Sequence, residues 1–295
     1  MGGVRRPTTS GESVGAGLAP GWRAGLELHL DQRLGVTRLA GMRHWGPLRV
    51  QRPFYPGDAG ECHLYLLHPP GGMVSGDTLD IDVRLDPGAR ALLTTPSAGK
   101  IYRGNGGDAS QHQRVVCRLG GNSYLEWLPQ ETIVFAGARG ELSLRVELDQ
   151  DAQCCLWDMV CLGRPASGEL FTAGFLRQRL AVYRGGLPLY MESNLFRGGS
   201  ALLNAPWGLG GNPVSGALLA TCSLSGDELA DLRDSLVRHC REGEQIAVSD
   251  LGGVLVVRYL GPSAEYCRQH FVGAWQLLKP RLTDTPVIEP RIWRT

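Results

Sequence analysis

No run of uncharged apolar residues in the 295-residue chain approaches the length that spans a bilayer, so a membrane partner is not expected. An excess of charge is missing as well: 30 Lys and Arg stand against 29 Asp and Glu. Nucleic acid is held by a basic field, and without one a nucleic-acid partner falls away. The eight cysteines include no CxxC pair and no Cys/His set of zinc-finger spacing. The opening residues carry no hydrophobic signal core, which points to a reducing, cytoplasmic setting where cysteines act as small buried hydrophobes. Cys154 and Cys155 are neighbours that a strand sends to opposite faces. Residues 1–20 are mostly Gly, Ser, Thr, Pro and Ala and read as a disordered tail, ahead of a single β-rich domain over residues 21–295.

Helical periodicity is scarce until late in the chain. Residues 79–85 alternate strictly, with Leu79, Ile81, Val83 and Leu85 on one face and Asp80, Asp82 and Arg84 on the other. Residues 141–148 repeat the pattern, and residues 61–67 read as a third half-buried strand. Residues 113–119 and 123–128 read as a pair of strands about the turn Gly120-Gly121-Asn122. Between residues 67 and 79, Pro69, Pro70, Gly71, Gly72 and Gly76 form a structural turn: the prolines remove ladder donors, and Gly72 and Gly76 are expected in conformations closed to a side chain. Helical spacing enters at residues 226–242, with Ser225 as N-cap and Asp227 and Glu228 in the first turn. It returns at residues 262–278, with Tyr266, His270, Phe271, Ala274 and Leu278 as the buried stripe and Pro280 beyond the end. Many short strands, few helices and abundant Gly suit a sandwich, a barrel or a β-helix, and pattern alone does not choose.

Five blocks in order, PPGGMVSGDTL from Pro69, TTPSAGKIYR from Thr94, WLPQETIVF from Trp127, GRPASGELF from Gly163 and RGGLPLYME from Arg184, resemble the family of urease accessory protein D, also called UreD or UreH. The resemblance implies a mainly β fold, a β-helix-like stack of sheets carrying two α-helices near its C-terminal end. It implies a non-enzymatic maturation factor that docks on apo-urease and recruits the F-type accessory protein and, through it, the GTPase accessory protein. Ni²⁺ is then a transient cargo, with no cofactor tightly bound and no high-affinity metal site in this chain.

Seven histidines invite a search for a nickel cage, but His63 and His68 differ by an odd number of positions and would face opposite ways. His239 and His270 fall in helices, where a surface or capped position is expected. Carboxylates are the better candidates for a nickel path: Asp77 in the Ser-Gly-Asp turn, Glu131, Asp158 in an apolar strand, and Glu169. Oxygen ligands hold a borderline divalent ion loosely, as suits a protein that passes it on. The plain structural reading makes Asp77 the closure of an Asx-type turn and pairs Asp158 and Glu169 with Arg164 or Arg177. Ser97-Ala98-Gly99-Lys100 resembles half of a phosphate loop, but Thr94 and Ile101 stand where Gly and Ser or Thr are needed. Val272 and Trp275, beyond the helical core stripe, are candidates for a partner interface. Two rival readings remain: a β-rich metal-dependent hydrolase using His63 or His68 with Asp77, and a plain protein-binding module without a metal path.

Overall fold

The computed structural model describes residues 21–294; the tail expected at residues 1–20 lies outside them. In chain order its strands are β1 (Arg23–Arg33), β2 (Val36–Trp45), β3 (Arg49–Val50), β4 (Cys62–Leu67), β5 (Thr78–Leu85), β6 (Arg90–Thr94), β7 (Gly99–Ile101), β8 (Gln111–Leu119) and β9 (Tyr124–Trp127). They continue with β10 (Thr132–Val134), β11 (Arg139–Leu148), β12 (Gln153–Arg164), β13 (Glu169–Leu170), β14 (Phe175–Arg184), β15 (Leu187–Arg197), β16 (Val214–Ala220), β17 (Gln245–Asp250) and β18 (Leu255–Gly261). The helices are α1 (Ala201–Asn204), α2 (Gly226–Val237) and α3 (Ala264–Leu282). The chain is mainly β, as expected, with one short helix more than the two foreseen.

Two sheets face each other. The first has the order β15-β14-β11-β8-β5-β1-β2, and its inner five strands run parallel, so that Leu28, Val83, Cys117, Val146 and Val182 form one buried row. The second runs β17-β18-β16-β12-β9-β6-β4-β3, with β4, β6, β9 and β12 parallel and Leu64, Leu93, Trp127 and Leu156 in register. A short parallel ledge of β7, β10 and the end of β12 aligns Ile101, Val134 and Leu162. From β4 to β14 the chain passes repeatedly from one sheet to the other, which is why neighbours in sequence are seldom neighbours in a sheet.

The alternation of β5 and β11 does what the sequence implies. Their apolar faces close the inter-sheet core, and their charged faces line the outside, where Arg118 bonds Asp82 at 2.8 Å. The second sheet is covered on both sides, by the first sheet and by α2 and α3. Its strands therefore read as continuous apolar runs: β4 is buried along nearly its whole length, not half-buried as the alternation at residues 61–67 suggests. Cys154 joins the inter-sheet core and Cys155 the helical one.

Three local expectations need correction. Strands β8 and β9 do not pair across the Gly120 turn, because each enters a different sheet and finds parallel partners there. Helix α2 keeps its capping box, with the Ser225 hydroxyl accepting from the Glu228 N–H, but ends at Val237. There the Arg238 guanidinium and the His239 ring bond the carbonyls of Asp234 and Ser235, satisfying the helix end before residue 242 is reached. Helix α3 runs past the expected stop to Leu282 with Pro280 in its last turn, where few intrahelical bonds remain to be lost.

Candidate functional site

Three strands of the first sheet, β5, β8 and β11, leave space against β4, β9 and β12 for a cavity of about 370 Å³. Leu66, Ile81, Val115, Trp127 and Leu144 form much of its apolar wall, while His68, Thr95, Gln113, Gln130 and Asp158 contribute polar groups. Asp158 also borders a second, small cavity of about 20 Å³ shared with Gln178, Glu192, Asn194 and Arg258. The carboxylate stands between the two spaces.

Strand parity puts it there. In β12, Asp158 interrupts the inward row Leu156–Val160, and in β14, Gln178 interrupts the row Leu176–Leu180. Glu192 and Asn194 occupy the same inward parity of β15 as the buried Tyr190 and Phe196, and Arg258 follows Val254 and Val256. A continuous hydrogen-bonded thread results. Gln178 donates to Asp158 at 2.8 Å, Asn194 donates to Gln178 at 3.4 Å and to Glu192 at 2.7 Å, and Arg258 grips both oxygens of Glu192 at 3.0 and 2.8 Å. The Tyr190 hydroxyl donates to the same carboxylate.

Burial raises the Asp158 pKa, and the Gln178 hydrogen bond only partly opposes it. Burial also pushes on Glu192, but hydrogen bonds from Arg258, Tyr190 and Asn194 outweigh it and hold that carboxyl below its ordinary value. Burial disfavours the charged form of His68, with the nearby Asp77 charge opposing, so its ring is neutral near pH 7.

The four candidate carboxylates do not converge. Only Asp158 borders the inter-sheet cavity, and its partner is Gln178, not an arginine. Asp77 accepts from the N–H groups of Trp22 and Val74, each at 2.8 Å, and so closes its turn and ties the start of β1 to it. Glu169 accepts from the Ala136 N–H at 2.9 Å and from Arg164 at 2.7 Å, on a separate recess with Arg103 and Phe135. These bonds hold its pKa down, the backbone one first. Glu131 acts electrostatically on Cys161 and Cys267, on the helical side of the second sheet.

His63 and His68 lie apart, as parity requires. His68 lines the cavity near the Asp77 charge, whereas His63 is buried against Glu61, 3.0 Å from its carboxylate; of the two histidines of the hydrolase reading only His68 is near Asp77, whose oxygens are both taken by backbone N–H groups. In the expected turn, Gly71 and Gly76 have φ of +78° and +86°. Gly72 is constrained differently: a Cβ there would lie 2.5 Å from the Tyr102 ring and 2.9 Å from the Lys100 carbonyl.

Trp275 is not a surface residue. It is fully buried, its indole N–H donates to Glu126, and the Trp293 ring packs 5.8 Å away, which removes it as a docking residue. A helix face covered by both a sheet and the C-terminal segment has a wider buried stripe than periodicity alone suggests. Val272 is partly buried against the same cluster.

Sequence reasoning missed the ion cluster beneath Trp275. Lys279, wholly buried, donates to Glu61 at 3.0 and 3.1 Å and to Glu126 at 2.9 Å. Glu126 also accepts from the Tyr124 hydroxyl, and Glu61 from Thr285, both at 2.8 Å. The available signal was a glutamate in the otherwise apolar run Tyr124-Leu125-Glu126-Trp127.

Residues 23–294 match the family described as UreD urease accessory protein. Among curated proteins, a urease accessory protein UreD of Saccharophagus degradans is 45% identical over 282 residues, covering 93% of both chains. One of Alkalilimnicola ehrlichii is 44% identical over 281 residues, covering 95% of this chain and 94% of its own. One of an Azoarcus species is 43% identical over 276 residues, covering 94% and 95%.

Proposed function

The chain belongs to the UreD family of urease accessory proteins, and we propose on that basis that it serves urease maturation as a scaffold that gives nickel a route into apo-urease. It is a maturation factor and not an enzyme. In this reading it works in the cytoplasm, docks on apo-urease and brings in the F-type accessory protein and, through it, the GTPase accessory protein. Nickel passes as cargo. The parallel passes between facing sheets support reading the stack as β-helix-like.

The observation that carries the route is Asp158, set between the inter-sheet cavity and the polar thread that leads through Gln178, Asn194 and Glu192 to Arg258. Its neighbours offer oxygen and amide groups, a donor set that holds a borderline divalent ion weakly. His68 adds a neutral imidazole on the wall of the larger cavity. Asp77 and Glu169 already hold backbone N–H groups, and a role for them in the route is weaker on that account.

Asp158→Asn keeps shape and hydrogen bonding while removing the charge. Urease matured with this variant is expected to contain severalfold less nickel and to lose activity in proportion, while pull-down of urease and of the F-type partner is unchanged. Normal nickel content would overturn the route and leave a plain binding module. Loss of pull-down would reassign Asp158 to structure.

A further inference from the structure

Away from the inter-sheet cavity, three different metal-ligating groups converge at the end of α2. Cys240 and Glu244 stand on the connection from α2 to β17, and His270 on α3. The Cys240 Sγ, a Glu244 carboxylate oxygen and an imidazole nitrogen of His270 all lie within 4.8 Å of one another.

The surroundings orient two of the three. Glu244 Oε1 accepts from the Tyr259 hydroxyl at 2.9 Å, and Oε2 accepts from the Arg241 N–H at 2.6 Å and lies 3.2 Å from His270 Nε2. Outer hydrogen bonds of this kind fix a ligating carboxylate. Among the described residues the Cys240 thiol makes one long contact, 3.7 Å, to the Leu236 carbonyl. Six of the eight cysteines are buried, so Cys240 is one of two that solvent reaches. A cavity of about 240 Å³, lined by His239, Arg241, Gln269, His270 and Gly273, opens beside the group. The positive charge of Arg241 is engaged elsewhere, over the Tyr266 ring and on Gln269.

We propose that Cys240, Glu244 and His270 form a three-ligand site for a divalent cation of zinc type, with the remaining coordination position open to the adjoining cavity. Thiolate, imidazole and carboxylate are the ligands zinc takes, and three of them with one open position is a common tetrahedral arrangement. Binding releases the thiol proton to solvent, and the metal replaces the His270–Glu244 contact. A metal held there ties the end of α2 to α3. This departs from the expectation that the chain holds no metal tightly, and it is independent of the nickel route, since none of the three residues lines the inter-sheet cavity.

The test uses the full chain, stripped of metal and titrated with Zn²⁺ and with Co²⁺. Cobalt is expected to produce a sulfur-to-metal charge-transfer band in the near ultraviolet, and zinc to raise the melting temperature. Cys240→Ser should abolish the band and weaken zinc binding by more than the roughly tenfold that loss of an outer hydrogen-bond partner costs, while Cys222→Ser should leave both intact. His270→Gln should weaken zinc similarly if it folds; if it does not, Cys240→Ser alone decides. Absence of the thiolate band, or its persistence in Cys240→Ser, overturns the site. A band that needs Cys222 instead also overturns it.

Discussion

Lys279 carries a charge in a place with no solvent, and three carboxylate oxygens within 3.1 Å make that tolerable. Its removal strands two acids. Lys279→Met should cost about 3–5 kcal/mol, the usual penalty for breaking a buried ion pair from one side, and adding Glu126→Gln should recover part of it. Denaturant midpoints decide, and a Lys279→Met variant as stable as the parent would show that the acids are neutral in the fold. The two glutamates respond oppositely to pH. Burial raises the Glu126 pKa, with Lys279 only partly opposing, so the folded state binds that proton more readily than the unfolded one. Burial also pushes on Glu61, but His63, Lys279 and Thr285 outweigh it and lower its carboxyl from 4.5 to about 2. The Glu61 contribution is therefore complete above its unfolded value and is lost as pH falls through the folded one. The stability advantage of the parent over Glu61→Gln should hold at pH 6 and shrink steadily below pH 4.5. An advantage independent of pH would exclude the ionised form as its source.

At the level of elements, α3 lies close against β16 because Gly216 leaves room. A Cβ there would fall 2.7 Å from Cys267 Sγ and 3.0 Å from the Phe271 ring. Gly216→Ala should thus lift the helix and destabilise by about 1–3 kcal/mol, read by thermal melting together with increased quenching of Trp275 fluorescence. Unchanged melting would mean that α3 slides without cost. Strands β5 and β11 and the Ser225 cap were legible in the sequence, because alternation and capping are local signals. The parallel partners were not, since a β8 residue meets β5 and β11 residues some thirty positions away and no local pattern encodes that. Trp275 was misplaced because two covers, β12 on one side and Trp293 on the other, widen the buried face of α3. Asp158 was legible as an acid in an apolar strand. Its polar thread was also within reach, had the inward parity of Gln178 and Glu192 been followed. The Lys279 cluster showed only as Glu126 in an apolar run, for Glu126 and Glu61 lie 153 and 218 positions from Lys279.

Across the whole molecule, each large sheet has a covered middle and open margins. Strands β5, β8 and β11 have ladder partners on both sides, whereas β2 and β15 are edges with one side of the ladder unpaired within the sheet. Amide exchange should be slower by orders of magnitude in the former, following the free energy of global opening, and fast in the latter. Equal protection throughout would imply that a second chain covers the margins. The packing between the sheets bears on anything that travels there. Parting the sheets breaks no ladder bond but opens the shared apolar core, so the walls stay close and passage is set by side chains at the narrowest point. Beyond Asp158 the space is about 20 Å³, close to the room a single water needs. On the proposed route, a hydrated cation cannot cross with its shell intact. It must give up waters and accept the oxygens of Asp158, Gln178 and Glu192 in their place, so crossing costs whatever part of the hydration energy those oxygens do not return.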